Sequence, residues 1–187
     1  MWSQLNNIAE KRATLSSKAS LPILDHLSRK DFEQVYEPSD DTFLMLDALS
    51  YEFEKNPNFL HKLCSTSTTI RSLEIGCGTG TVTIHFAKLC QSLLLGRASK
   101  ESSNVFFFHH VTDINPRALD VTERTAIVNG IRCIENSAVE PPCVKDFASE
   151  CVIQTWTCDL GSALLNDLSG KIGAFQMAFF SPHSRNP

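Results

Sequence analysis

Several things are scarce or missing in this sequence, and each absence narrows the reading. No apolar run reaches eighteen residues, so no membrane-spanning helix is expected. No C-x-x-C pair occurs among the seven irregularly spaced cysteines, which argues against a zinc ribbon or a redox dithiol, and no metal site is expected. The odd cysteine count, without a secretory leader, points to free thiols in a reducing compartment, the cytoplasm or the nucleus. Basic residues are not in surplus. The net charge is −4, and no basic stripe with interleaved aromatics is present, so nucleic acid is not expected as a bulk electrostatic partner.

What is present is ordinary for a globular protein. The 187 residues are 42% hydrophobic and 20% charged, enough for one domain with a real core. The informative stretch is Ile70-Arg-Ser-Leu-Glu-Ile-Gly-Cys-Gly-Thr-Gly-Thr-Val82. Ile70–Ile75 reads as a buried parallel strand. Gly76, Gly78 and Gly80 then form a turn, and Thr81, Val82, Ile84, Phe86, Ala87 and Leu89 recur with helical spacing. Strand, glycine turn and helix open a nucleotide-binding βαβ unit.

The glycine spacing excludes two such units. A dinucleotide fingerprint would need a third glycine at position 81 or 83, where Thr81 and Thr83 stand, which disfavours a nicotinamide-dependent oxidoreductase. A P-loop would need Gly-Lys-Ser/Thr, which is absent. Glu74 lies two residues before the first glycine, at the strand's carboxyl end. E-x-G-x-G-x-G resembles the first motif of the class I methyltransferases that use S-adenosylmethionine. An acidic floor suits that cofactor's cationic sulfonium and amino groups.

The rest of the chain fits such a sheet. Residues 1–34 form a weakly patterned, basic segment expected to be a mobile extension, with a transit peptide as the alternative. The domain proper is expected over 35–187. Ser39 can cap a helix whose first turn holds Asp40 and Asp41 and whose apolar face holds Phe43, Leu46 and Leu49. Asn56-Pro57 should end it, with a short helical piece near Phe59–Cys64. Gly96–Asn104 is loop-like, and Val105–Val111 is the second strand, closing in Thr112-Asp113. An acid at that tip could accept from both ribose hydroxyls. Gly80 to Asp113 spans 33 residues against the usual ~20, the polar loop making up the excess. Pro116 suits the start of a helix running to Asn129-Gly130. Residues 133–150 look like a loop insertion. Cys151–Cys158 is the third strand, ending in Asp159-Leu160, where Asp159 either receives an adenine amino group or caps a helix. Ile172–Phe180 is the fourth. Three acids, Glu74, Asp113 and Asp159, should then meet at one crevice.

With those residues in view, the chain resembles the eukaryotic HemK-type glutamine methyltransferases. Tyr36-Glu-Pro-Ser-Asp-Asp-Thr-Phe43 is similar to that family's Tyr-Glu-Pro-x-x-Asp-Thr-Phe. Leu73–Gly80, Thr112–Pro116 and Cys158-Asp-Leu160 also match, so the likeness runs from Val35 to about Ile172. The resemblance implies an α/β Rossmann-like fold with a doubly wound parallel sheet, S-adenosylmethionine as cofactor, and N5-methylation of a glutamine in a class one release factor. It implies a small zinc-binding activator subunit as partner. It also implies cofactor contacts from Thr42, Glu74, Gly76, Asp113, Asp159 and Leu160, with Gly78 and Gly80 completing the turn.

One departure stands out. The family's fourth strand ends in Asn-Pro-Pro-Tyr, which holds the acceptor amide; here Ser181-Pro182-His183-Ser184 follows Phe180. No catalytic residue is therefore assigned. About four strands are expected where the family's sheet resembles seven. The expectation is a truncated, weakly active or inactive form, whose fourth strand would be an exposed apolar edge. The alternatives are a fragment that binds cofactor and activator without chemistry, and an adenine-specific nucleic-acid methyltransferase.

Overall fold

The structure is a computed structural model, and it describes residues 20–56, 69–98, 105–134, 151–157 and 177–180. The chain runs α1 (Arg29–Phe32), α2 (Asp40–Lys55), β1 (Thr69–Ile75), α3 (Thr81–Ala98), β2 (Phe106–Asp113), α4 (Pro116–Val128), β3 (Arg132–Ile134), β4 (Cys151–Thr157) and β5 (Met177–Phe180). The strands form one sheet in the order β3-β4-β2-β1-β5, and every pairing is parallel. This is the expected α/β Rossmann-like arrangement, with the glycine-turn strand β1 inside the sheet. β3 is an addition. Arg132–Ile134 pairs with Val152–Gln154, so the expected insertion begins only after a short outer strand.

Side-chain alternation sorts the sheet into two faces. Ile70 on β1, Phe107 and Val111 on β2, and Cys151 and Ile153 on β4 join Ile84, Phe86, Ala87, Cys90, Ala118, Val121 and Ala126 of α3 and α4 in the main core. Phe106, Phe108 and Val152 form a second cluster on the opposite face. Both rows of β2 open with phenylalanine because the strand is buried along its whole length, and both turn polar toward its carboxyl end.

The helices follow their sequence signals, with two corrections. α2 starts after Ser39 and ends at Asn56, as expected. Its inward face is Thr42, Leu46, Leu49 and Phe53, however, and Phe43 is 45% exposed. One residue is about 100° of helix, so Phe43 falls outside the stripe that meets α3. α3 continues through Gly96 to Ala98, into the span expected as loop, because eighteen residues with no proline carry the helix past a single glycine. α4 begins with Asn115 as cap and Pro116 in its first turn, and it stops at Gly130, whose φ is +68°.

Residues 20–35 lie along α4. The Asn129 side chain brackets the Ile23 backbone, accepting at 2.8 Å and donating at 2.9 Å. Lys88 Nζ also donates to Asn129 Oδ1, at 2.8 Å, and Arg124 pairs with Asp31. Asn115 Nδ2 donates to the Gln34 carbonyl at 2.8 Å, which carries the segment to the end of β2. Residues 1–19 of the expected extension lie outside the described residues, as do the helical piece at 59–64 and most of the insertion at 133–150.

The outer face of β2 holds a buried histidine. His110 sits edge-on to Phe108 at 4.5 Å and accepts a hydrogen bond from Trp156 Nε1 at 3.2 Å. Burial, then the Arg71 and His109 charges, push its pKa down from 6.5 to about 3. The unfolded chain takes up a proton near 6.5, whereas the folded chain refuses it until about 3. Stability is therefore full above about 6.5 and declines as pH falls through that window. From pH 7 to pH 5 the loss from His110 should be about 2 kcal/mol. Denaturant midpoints measured across this range in wild type and His110→Gln should show a shallower decline in the variant; equal slopes would remove His110 as the cause.

Candidate functional site

The site lies where β1 and β2 end side by side. Ile75 pairs with Thr112, so the glycine turn leaves β1 next to Asp113. Gly76 N–H and Cys77 N–H both donate to the Thr112 carbonyl, at 2.8 and 3.2 Å. Gly78 N–H donates to Asp113 Oδ2 at 3.1 Å, and Gly80 N–H to the Cys77 carbonyl at 2.9 Å. These four donors are spent inside the protein. A phosphate cradle instead aims its backbone N–H groups at the ligand, so the turn is poorly suited to a pyrophosphate.

The charges nearest the turn are carboxylates. Asp113 is 9% exposed, and its Oδ1 accepts from the Asn115 N–H at 2.9 Å. Oδ2 also accepts from the Cys77 thiol at 3.8 Å, whereas Oδ1 holds one backbone donor and keeps a second acceptor position. Glu74 is fully buried on the helix-facing side of β1. Its Oε2 accepts from Thr83 Oγ1 at 2.7 Å, in the first turn of α3, where the helix dipole favours negative charge. Its Oε1 has no hydrogen-bond partner among the described residues. The Cys77 thiol, enclosed in the turn, is pushed up chiefly by burial, with the Asp113 and Glu74 charges adding to it, so it remains protonated.

Glu74, Gly76, Gly78, Gly80 and Asp113 are thus brought together. Thr42 is buried in the first turn of α2, and its hydroxyl accepts from the Ser39 N–H at 3.3 Å; no described hydrogen bond links it to either carboxylate. Asp159 and Leu160 lie outside the described residues, so two of the three expected acids are seen to converge. A cleft of about 590 Å³ opens elsewhere, between Ser28–Val35 and α4, and none of the expected site residues lines it. Among the described residues no group of three or more His, Cys, Asp and Glu is placed to hold a metal ion.

Sequence reasoning missed a polar row under the turn. His109 Nε2 lies 3.2 Å from Glu74 Oε2, and His109 Nδ1 lies 2.9 Å from Ser72 Oγ. The chain Ser–His–Glu has the order of a hydrolase triad, but all three residues are 0% exposed, so Ser72 cannot reach a substrate. The signal was available: Ser72 and Glu74 share the inward face of β1, and His109 interrupts the aromatic run of β2.

The residues fit an adenosyl cofactor carrying positive charge. Two carboxylates flank a turn with four spent donors, one Glu74 oxygen lacks a partner among the described residues, and Asp113 Oδ1 retains an acceptor position suited to a hydroxyl. No family model matches the chain. It is similar to the eRF1 methyltransferase catalytic subunit mtq2 of Schizosaccharomyces pombe, with 28% identity over 184 residues, 84% of this chain and 78% of that protein. It is similar also to Methyltransferase HEMK2 of Mus musculus (34% over 110 residues) and of Homo sapiens (32% over 110 residues). Those matches take in 59% of this chain but span only 41% of either relative.

The turn itself makes a prediction. Gly78 and Gly80 are both left-handed, with φ of +56° and +77°. A Cβ on Gly80 would meet Thr122 Cα, Cγ2 and Oγ1 at 3.0 Å, whereas one on Gly78 would meet nothing within 4 Å. Gly78→Ala should therefore cost about 1–2 kcal/mol of backbone strain. Gly80→Ala should cost about 2–5 kcal/mol, since α4's backbone must also move. Chemical denaturation of the two variants checks the ordering; equal losses would mean that α4 does not press on the turn.

Proposed function

We propose that this chain is of the eukaryotic HemK type, as its similarity to those relatives supports, and holds S-adenosylmethionine at the glycine turn as enzymes that methylate a release-factor glutamine do, with weak or no transfer of its own. The observation that carries the reading is the charge of the site: Glu74 and Asp113 beside a turn whose N–H groups at 76, 77, 78 and 80 are already used. Such a site attracts a cation and offers little to a phosphate.

The roles divide by position. Asp113, at the tip of β2, would accept from a ribose hydroxyl with the position left open on Oδ1. Glu74 would face the cofactor's positive end, and Gly78, with no Cβ, keeps the turn low beneath the ligand. Asp159 and Leu160 would take the adenine. Thr42 would close the site from α2, its place fixed by Ser39. When bound, the cofactor supplies an electrophilic methyl group. The chain's part is then to hold the acceptor amide in line with it, since positioning supplies most of the rate in such a transfer.

That last requirement separates two readings. The residues after β5 are Ser181-Pro182-His183-Ser184 rather than Asn-Pro-Pro-Tyr, so the groups that would grip an amide are not supplied there. This favours a chain that binds cofactor, and a small zinc-binding activator subunit in the cytoplasm, with weak or no transfer of its own. The eRF1 in the fission-yeast relative's name identifies the substrate class to try first.

Isothermal titration of the chain with S-adenosylmethionine should give saturable binding, and Asp113→Ala should weaken it by about 1–3 kcal/mol through lost charge-assisted hydrogen bonds. No binding by wild type, or unchanged affinity in the variant, would overturn the assignment. Incubation with labelled cofactor, activator and release factor should give little transfer; robust methylation would show that residues after β5 hold the acceptor by other means.

A further inference from the structure

The outward face of α2 plays no part in the site described above. The helix Asp40–Lys55 holds five acidic residues, Asp40, Asp41, Asp47, Glu52 and Glu54, against one basic residue, Lys55. That balance is as large as the net charge of the whole chain, −4. The inner side of the helix is committed to α3. Ser50 Oγ meets His85 Nε2 at 2.7 Å, and Phe53 stands edge-on to Phe86 with ring centroids 5.8 Å apart. These contacts fix the rotation of α2, so its opposite side is held toward solvent.

That side carries a pattern. Asp40, Leu44, Asp47, Tyr51 and Glu54 follow one another at intervals of four, three, four and three residues. At about 100° per residue these intervals return to one line along the helix, the spacing by which helices pair. Acidic and apolar residues alternate along the line, and Leu44 is 64% and Tyr51 52% exposed. Phe43, 45% exposed, widens the apolar surface beside Asp47. Exposed aromatic and large aliphatic side chains with a charged rim are the make-up of a protein-binding surface. The carboxyl end of the stripe already takes one cation from the chain itself: Lys55 Nζ lies 6.0 Å from the centre of the Tyr51 ring and 3.5 Å from Glu54 Oε1.

We propose that this stripe is a docking ledge for a basic amphipathic helix of a partner protein. Such a helix lays its apolar residues over Leu44 and Tyr51 and sets lysine or arginine side chains against Asp40, Asp47 and Glu54. From Asp40 to Glu54 the ledge is about 21 Å long, room for two heptads of the partner. Charge decides between occupants. A second copy of this chain would bring acid against acid, and a nucleic acid or an anionic lipid surface would be repelled in the same way. The inference stands apart from the cofactor reading, since none of these five residues is assigned to that site.

The probe is a fluorescently labelled, helix-forming peptide about three heptads long, with leucines on one stripe and lysines beside it. Its controls are the same composition in an order that breaks the stripe, and a version with glutamate in place of lysine. Titrated with the full chain at about 0.1 M salt, the striped basic peptide should give saturable fluorescence anisotropy, and both controls should bind about tenfold more weakly. Leu44→Ala with Tyr51→Ala should weaken binding by about tenfold. Asp47→Asn with Glu54→Gln should weaken it by a similar factor and flatten its dependence on salt. All four positions are exposed, so both double variants should unfold thermally as wild type does; should one fail to fold, the other carries the test. Equal binding of the reordered peptide, or variants that bind as wild type does, would overturn the proposal. Binding of the chain to anionic vesicles, or self-association in sedimentation that Leu44→Ala with Tyr51→Ala abolishes, would overturn it too, because either puts a different occupant on the stripe.

Discussion

The structure depends on one constraint: a carboxyl group enclosed inside the sheet. Glu74 is on β1, inside the sheet, fully buried and packed under α3. A strongly polar group in such a place is tolerated only where dipoles and donors are arranged around it. The arrangement draws in the surrounding elements. α3 must begin immediately after the turn so that Thr83 and the helix N-terminus reach Oε2. β2 must lie in register with β1 so that His109 falls opposite Ser72. The turn must be tight enough for α3 to start over the strand it has just left, which is why Gly78 and Gly80 adopt left-handed conformations.

The same demand explains the packing of α4. Thr122 Oγ1 and Thr125 Oγ1 donate to the carbonyls of Gly78 and Thr79, at 3.3 and 2.9 Å, closing the turn from the side. Residues 20–35 then lie along α4 and reach the end of β2 through Asn115. The lining of the site is thus polar and heavily cross-bonded, while the apolar core lies below it, among Phe86, Phe107, Ile84 and Ile153. Rigidity at the strand ends comes from hydrogen bonds that leave little slack for the turn to adapt.

How much of this was legible in the sequence follows from which interactions are local. The glycine turn, the Ser39 and Pro116 starts and the Gly130 stop are decided within a few residues, and the structure has them where the sequence places them. The fold class was legible because strand, turn and helix alternate. Phe43 and β3 were not. The buried face of α2 is chosen by where α3 lies, and a three-residue strand owes its existence to the β4 edge beside it rather than to its own composition. The end of α3 was misread for a related reason: Gly96 looks like a stop only if the turns before it do not already carry the helix. Within the site, Glu74 and Asp113 were visible as acids at strand tips. The His109 row needed the register of two strands, which no single stretch encodes.

The charge balance of the turn limits what the chain can recognise. Related glycine turns that grip nucleotides by their phosphates work because unspent N–H groups and a helix N-terminus face the anion. Here the N–H groups at 76, 77, 78 and 80 end on protein oxygens, and the nearest formal charges are negative. A phosphate at this turn would meet Asp113 and Glu74 in a setting of low dielectric, where like charges repel far more strongly than in water. On the proposed reading, an adenosyl ligand without phosphate, positive at one end and carrying a diol at the other, would find complementary partners at both. Discrimination between the two ligand classes therefore follows from hydrogen bonds made before any ligand arrives, by the way β2 caps the turn.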